Sequence, residues 1–198
     1  MLRVDAMRAI YPELSCCVVV TNMGAAPAEL YSLGHQPGFF YLWHSMGLAS
    51  SVGLGIALSR PELRVIVIDG DGSLLMNLGS LTTLARHRPA NLIHVVFDNE
   101  VLLSVGRSFT TATATGSDLA AMAAGAGIAR TGTYRTEEEL RRGFLDALAA
   151  RELAVLVAKV EPQGPPSYFI DLHFLESRFQ FQRHLRSLAA EKDKEIPR

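Results

Sequence analysis

Short continuous apolar runs alternate along this chain with longer stretches in which apolar residues recur every three or four positions. The runs at 16–21 (CCVVVT), 64–69, 92–97, 128–131 and 153–160 have the length and β-branched content of buried strands. Between them, residues 46–59 (MGLASSVGLGIALS) are small and apolar nearly all round, the pattern of a helix packed closely against a sheet or a partner. That helix is expected to stop near Arg60-Pro61, because proline disfavours helix at the preceding residue. Further helices are expected through Glu29-Leu30-Tyr31, over 73–87 and over 119–125, the last with Ser117 or Asp118 as N-cap. Thr136-Glu137-Glu138-Glu139 reads as a capping box that opens a helix to about residue 150. A Gly/Pro-rich loop, His35 to Gly38, leads into Phe39-Phe40-Tyr41-Leu42, and a charged amphipathic helix is expected over 175–191. This alternation predicts an α/β fold: a three-layer, doubly wound, mostly parallel sheet with helices on both faces.

A length of 198 residues suits a single domain, 1–198, with 175–198 as its C-terminal helix and tail. The formal net charge of −1 leaves no basic footprint for nucleic acid. Hydrophobic residues make up 48%, yet no uninterrupted apolar run reaches the roughly 18 residues of a membrane span. So much apolar surface suggests burial in a subunit interface as well as in the core. Cys16 and Cys17 are adjacent and poorly placed for a structural disulfide, which fits packing in a reducing cytosol. No signal-peptide pattern opens the chain, so a cytoplasmic location is expected.

The chemistry concentrates at two strand ends. Gly70-Asp71-Gly72-Ser73 follows the run ending at Asp69, and Asp98-Asn99-Glu100 follows the run ending at Phe97. Parallel strands would deliver a carboxylate and an amide oxygen to one sheet edge, a donor set suited to Mg²⁺ completed by a phosphate. Gly72-Ser73 opens a helical stretch, and a helix N-terminus with small residues is a ready anion site. The pattern reads as a metal–diphosphate site. Plainer roles stay open: a cap for Asp71, a turn residue for Asn99, a first-turn residue for Ser73, and core packing for Met46.

GDGS followed by a helix, a strand and DN resembles the thiamine diphosphate motif. The stretch 44–99, from HSMGLASSVGLGIALSRPEL to LIHVVFDN, is similar almost position by position to sulfopyruvate decarboxylase (its beta subunit) and phosphonopyruvate decarboxylase, as more weakly are 21–33 and 178–185. The resemblance implies the thiamine diphosphate-binding fold, with Mg²⁺ held by Asp71, Asn99 and the Val101 carbonyl. It implies that Gly70, Gly72, Ser73 and Leu102 flank the diphosphate, and that Met46 wedges between the cofactor rings, beside Ser45. The His44 carbonyl would accept a hydrogen bond from the cofactor's amino group, and its imidazole could relay protons. The activity implied is decarboxylation of a 2-oxo acid, most of the chemistry being the cofactor's.

In that family a glutamate on a separate pyrimidine-binding domain activates the cofactor. A chain of this length is too short for both domains, so a partner chain is expected, in a hetero-oligomer of the α2β2 kind or larger. Three departures bear on the substrate. Leu102-Leu103 replace a polar His-Asp pair, Ala28 stands where the family often has a basic residue, and His44 stands where a glycine is expected. A carboligase of the acetolactate synthase kind and a non-catalytic scaffold subunit are the competing expectations. His35, at the presumed cofactor edge, and Arg107 are further candidates for substrate or anion contact. The Thr/Ser/Gly-rich stretch from Ser104 to Gly116 has the composition of a mobile lid.

Overall fold

Six parallel strands form the centre of the computed structural model, which describes residues 1–106, 109–165 and 169–195, the side chains from 190 onward excepted. The strands are β1 (Val18–Thr21), β2 (Phe39–Tyr41), β3 (Val65–Gly70), β4 (Leu92–Asp98), β5 (Arg130–Tyr134) and β6 (Ala154–Lys159). The helices are α1 (Arg3–Leu14), α2 (Ala25–Leu33), α3 (Ala49–Ser59), α4 (Asp71–Met76), α5 (Ser80–His87), α6 (Leu119–Gly125), α7 (Glu137–Ala150) and α8 (Phe174–Glu195). The sheet order is β2-β1-β3-β4-β6-β5, so the chain winds outward first to one side of β1 and then to the other. The expected α/β, three-layer, doubly wound sheet is what forms, and every pairing among the described strands is parallel.

Runs that read as uniformly apolar split cleanly by parity once folded. Ile66, Ile68, Ile93, Val95, Phe97, Ala154, Leu156 and Ala158 face one core with Met7, Ile10, Leu30 and Phe144 from α1, α2 and α7. Val65, Val67, Leu92, Val96, Val155 and Val157 face a second core with Ala57, Leu81, Leu84 and Ala123 from α3, α5 and α6. Strands buried on both faces need apolar residues at every position, and side chains alternate across the sheet. Phe181 of α8 stacks on Phe40 of β2, with ring centroids 5.0 Å apart.

Several boundaries move. The first strand starts at Val18 rather than at residue 16, leaving Cys16 exposed and Cys17 buried. The helix expected over 46–59 begins only at Ala49, which puts Met46 in the preceding turn, and its Ser51, Gly55 and Leu58 side is exposed. The helix expected over 73–87 is two helices, interrupted at Asn77, whose carboxamide turns aside to donate to the Gly47 carbonyl at 2.8 Å. The strand expected at 128–131 lies at Arg130–Tyr134 instead. Asp118 is the N-cap of α6, accepting from the Ala121 N–H at 3.0 Å. The Thr136/Glu139 capping box opens α7. The amphipathic helix α1 and the short strand β2 were not anticipated. Among the described residues, no helix is long and apolar enough to cross a membrane.

Candidate functional site

The winding direction reverses between β1 and β3, and in open α/β sheets ligands bind beyond the carboxyl ends of the strands at such a point. A narrow cleft opens there. From β1 it receives Asn22 to Ala26, and from β3 it receives Asp69 to Ser73. From β4 and the segment beyond it come Asn99 and Val101 to Ser104, with Met46 and Arg3 on its walls.

Register explains why the two motifs meet. Gly70 pairs with Phe97, so the next residues, Asp71 and Asp98, arrive side by side, with Asn99 adjoining. Asp71 is 3% exposed, and its Oδ2 accepts from the Thr111 hydroxyl at 2.6 Å. Burial pushes its carboxyl above the ordinary range; the Thr111 hydrogen bond opposes this, nearby Asp98 adds to it, and the N–H groups of Gly72 and Asn99 oppose it. Asp98 has a cation of its own, Lys159 at 2.8 Å. Among the described residues Asp71 has none.

A Cβ at Gly72 would lie 2.3 Å from Leu102 Cδ2, so a side chain there would displace Leu102. The Ser73 hydroxyl accepts from the Gly47 N–H at 2.9 Å and keeps its own proton to donate. Gly47, at φ 80°, and the Asn77 bond to its carbonyl hold the turn that carries Met46 into the cleft. Asn99 Oδ1 accepts from the Val101 N–H at 3.1 Å and retains a second lone pair.

Gly70, Asp71, Gly72, Ser73, Asn99, Val101, Leu102 and Met46 thus converge on one cleft. His44 and Ser45 do not line it. His44 is exposed at φ 54°, a left-handed conformation glycine adopts freely, which is consistent with the glycine expected at this position. It borders a neighbouring apolar cavity formed with Met23, Gly24, Pro27, Tyr41, Leu42, Trp43 and Ile170. The Ser45 hydroxyl donates to the Trp43 carbonyl at 3.0 Å. His35 lies away from the cleft, bonded through its two ring nitrogens to Tyr41 and Gln180. Arg107 lies outside the described residues, as does Ser108.

Sequence reasoning missed several residues at this cleft. Gly24 to Ala26 form the start of α2, which carries no side-chain cap. Asn22 is buried, and its Oδ1 has no hydrogen-bond partner. Arg3 reaches the cleft from α1 while its guanidinium is gripped by Glu29 at 2.7 and 3.0 Å. Thr111 and Thr113 close on Asp71. Asn22 to Ala26 lay within the weakly similar 21–33 stretch; for Thr111 and Thr113 the chain offered only a Thr-rich composition.

These features suit a cation-bound diphosphate. A buried carboxylate without a counterion, two uncapped helix starts and an orphaned amide oxygen face one space. Among the described residues no three His, Cys, Asp or Glu side chains gather as a metal-binding set.

Comparison with known proteins agrees with the geometry. Residues 20–158 match the family described as thiamine pyrophosphate enzyme, C-terminal TPP binding domain. The chain is 39% identical over 184 residues to sulfopyruvate decarboxylase subunit beta of Methanothermobacter thermautotrophicus, covering 93% of this chain and 95% of that one. It is 38% identical over 161 residues to phosphonopyruvate decarboxylase of Streptomyces hygroscopicus, covering 81% of this chain and 39% of that one. In fold it is similar to benzoylformate decarboxylase from Polynucleobacter necessarius, with a TM-score of 0.69 at 19% identity over 84% of this chain and 34% of the other.

Proposed function

Because the chain belongs to the thiamine pyrophosphate enzymes, through their C-terminal TPP-binding domain, we propose that it is the diphosphate-holding subunit of a thiamine diphosphate- and Mg²⁺-dependent 2-oxo acid decarboxylase. The convergence of Asp71, Asn99, Gly72, Ser73 and Met46 on one cleft carries this reading. Asp71, Asn99 and the Val101 carbonyl hold the cation. The starts of α4 and α2 offer N–H groups to the diphosphate, and the Ser73 hydroxyl can donate alongside them. When bound, the cofactor supplies a nucleophilic carbon and a sink for the electron pair left by departing CO₂. The chain's own residues bind and orient it: Met46 projects from a pinned turn, while Leu102 and Leu103 wall the cleft with apolar surface that excludes water.

The pyrimidine-activating glutamate is assigned to a partner chain. Relatives named subunit beta are spanned nearly end to end, whereas the Streptomyces hygroscopicus phosphonopyruvate decarboxylase is spanned over only 39% of its length. Trp43, Leu48 and Met76 are exposed on segments adjoining the turn that carries Met46, apolar surface suited to a covering subunit. The chain is proposed to act as one unit, 1–198, in the cytoplasm, where its two free cysteines suit a reducing medium.

The names of the relatives point to sulfopyruvate or phosphonopyruvate, while Leu102 and Leu103 favour a less polar 2-oxo acid. The test is co-purification with a chain bearing the pyrimidine domain, followed by CO₂ release from sulfopyruvate, phosphonopyruvate and a panel of 2-oxo acids with apolar side chains. Release that requires both thiamine diphosphate and Mg²⁺ is expected. Cofactor-independent release, or none from any 2-oxo acid, overturns the reading. A carboligation product in place of an aldehyde would identify the acetolactate synthase-like alternative.

A further inference from the structure

We infer that Thr111 and Thr113 are positioning residues that orient the Asp71 carboxylate for its cation, and that Lys159, by satisfying Asp98, keeps that cation from being shared between the two carboxylates. This rests on the reading that Asp71 holds a divalent cation.

The strand register forces the problem that these residues solve. Asp71 and Asp98 emerge side by side from β3 and β4, 3% and 2% exposed, and two buried carboxylates repel. Two adjacent carboxylates are also a competing cation site. Asp98 is fully answered from elsewhere. Its Oδ2 takes Lys159 at 2.8 Å, and its Oδ1 takes the Thr113 hydroxyl at 2.7 Å and the Glu100 N–H at 3.2 Å. Lys159 is itself held by Glu100 at 2.8 Å, which fixes its ammonium at this place.

Among the described residues Asp71 is answered only by neutral donors. Thr111 lies 2.6 Å from its Oδ2 and Thr113 lies 3.3 Å from the same atom, so the carboxyl group cannot turn freely about its Cβ–Cγ bond. The two hydroxyls also touch each other at 2.8 Å. These contacts outnumber the protons, because each hydroxyl has one to give. The shortest distances send the Thr111 proton to Asp71 and the Thr113 proton to Asp98. The contact between the hydroxyls is then left without a proton, and the cluster is short of positive charge on the Asp71 side. A divalent cation on Asp71 relieves that shortage.

Thr111 also anchors the segment that covers Gly72. Val101 bridges to Thr110, the Leu102 N–H donates to the Phe109 carbonyl at 2.8 Å, and the Thr111 N–H donates to the Glu100 carbonyl at 2.9 Å. Leu102 and Thr111 therefore lie on two paired segments. A shift in the Asp71–Thr111 bond would move the Leu102 wall as well.

The test is binding of Mn²⁺, read by its electron paramagnetic resonance, to the partner-containing complex with thiamine diphosphate present. Thr111→Val keeps the shape and removes the donor. It is expected to weaken Mn²⁺ binding roughly tenfold, the scale of one hydrogen bond to a charged group, while cofactor affinity at saturating Mn²⁺ stays near wild type. Thr111→Ser, which restores the hydroxyl, is expected to recover wild-type Mn²⁺ binding. Thr113→Val, which removes the hydroxyl that fixes Thr111 at 2.8 Å and gives its own proton to Asp98, is expected to weaken it less, and this variant reads the same quantity should Thr111→Val fail to fold. Wild-type Mn²⁺ affinity in both valine variants overturns the inference, as does equal loss in Thr111→Ser. If the wild-type complex binds neither Mn²⁺ nor thiamine diphosphate, the functional reading itself fails and this inference fails with it.

Discussion

The Asn77 carboxamide donates to the Gly47 carbonyl at 2.8 Å, and this bond joins the break between α4 and α5 to the turn that presents Met46. Ser73 holds the same turn from the other side, through the Gly47 N–H. Both restraints come from residues just past Asp71, so the proposed diphosphate and ring ends of the cleft are tied together through one short helix and its C-terminal end. Asn77→Ala is expected to lower turnover about tenfold or more while changing cofactor affinity little, because it loosens the orientation of Met46 rather than the anion contacts. Met46→Ala should behave alike. Steady-state kinetics with a cofactor titration checks this, and unchanged turnover in both variants removes the role assigned to Met46.

Asp71→Ala is expected to abolish Mg²⁺-dependent cofactor binding in the complex, as read by calorimetry. Undiminished binding would remove Asp71 from the cation site.

The pH dependence of the metal-free chain follows from the raised Asp71 carboxyl. A folded-state pKa above the unfolded one means that the stability contributed is complete below the ordinary carboxylate range and is lost as pH rises through the raised value. Thermal unfolding of the metal-free protein should therefore show a loss over that interval which Asp71→Asn lacks. Cation binding needs the ionised form, so Mn²⁺ affinity should rise over the same interval. A flat unfolding profile in the native chain would contradict the burial of an uncompensated carboxyl.

Gly72→Ala should drive Leu102 from its place, since the new Cβ would lie 2.3 Å from Leu102 Cδ2. Because the clash is with the end of a flexible side chain, the variant is expected to fold yet bind cofactor weakly. Pairing it with Leu102→Ala should recover part of the affinity. No recovery in the double variant would mean that the methyl group obstructs the ligand itself.

The adjacent thiols should behave differently. Burial, and after it the neighbouring Cys16, pushes the Cys17 thiol up to about 12, whereas Cys16 is exposed. Maleimide labelling of the native chain at about pH 8, just below the ordinary thiol range, should modify Cys16 and spare Cys17 until the chain is denatured. Equal labelling rates would show that β1 opens readily at its start.

Much of the site could be read from the chain because its signals are local. Asp71, Gly72 and Ser73 sit where a strand passes into a helix, and Asn99 where the next strand ends, so periodicity alone brought them to one edge. The helix break at Asn77 had no such signal: residues 73–87 keep a helical pattern through it, and the bond made at the break reaches back to Gly47, outside both helices. Met46 was assigned to a helix and stands in a turn, for the same reason.

Alternation of strand and helix, the doubly wound architecture and the meeting of the two acidic motifs were determined by the sequence, since each depends on the periodicity or turn chemistry of a short segment. The tertiary structure alone decided which residues surround Asp71. Strand register set Asp98 beside it, a forty-residue return brought Thr111 onto its Oδ2, and the sheet order placed Asn22 and the start of α2 across the cleft. Contacts of that kind arise from packing between distant segments, and no local pattern encodes them.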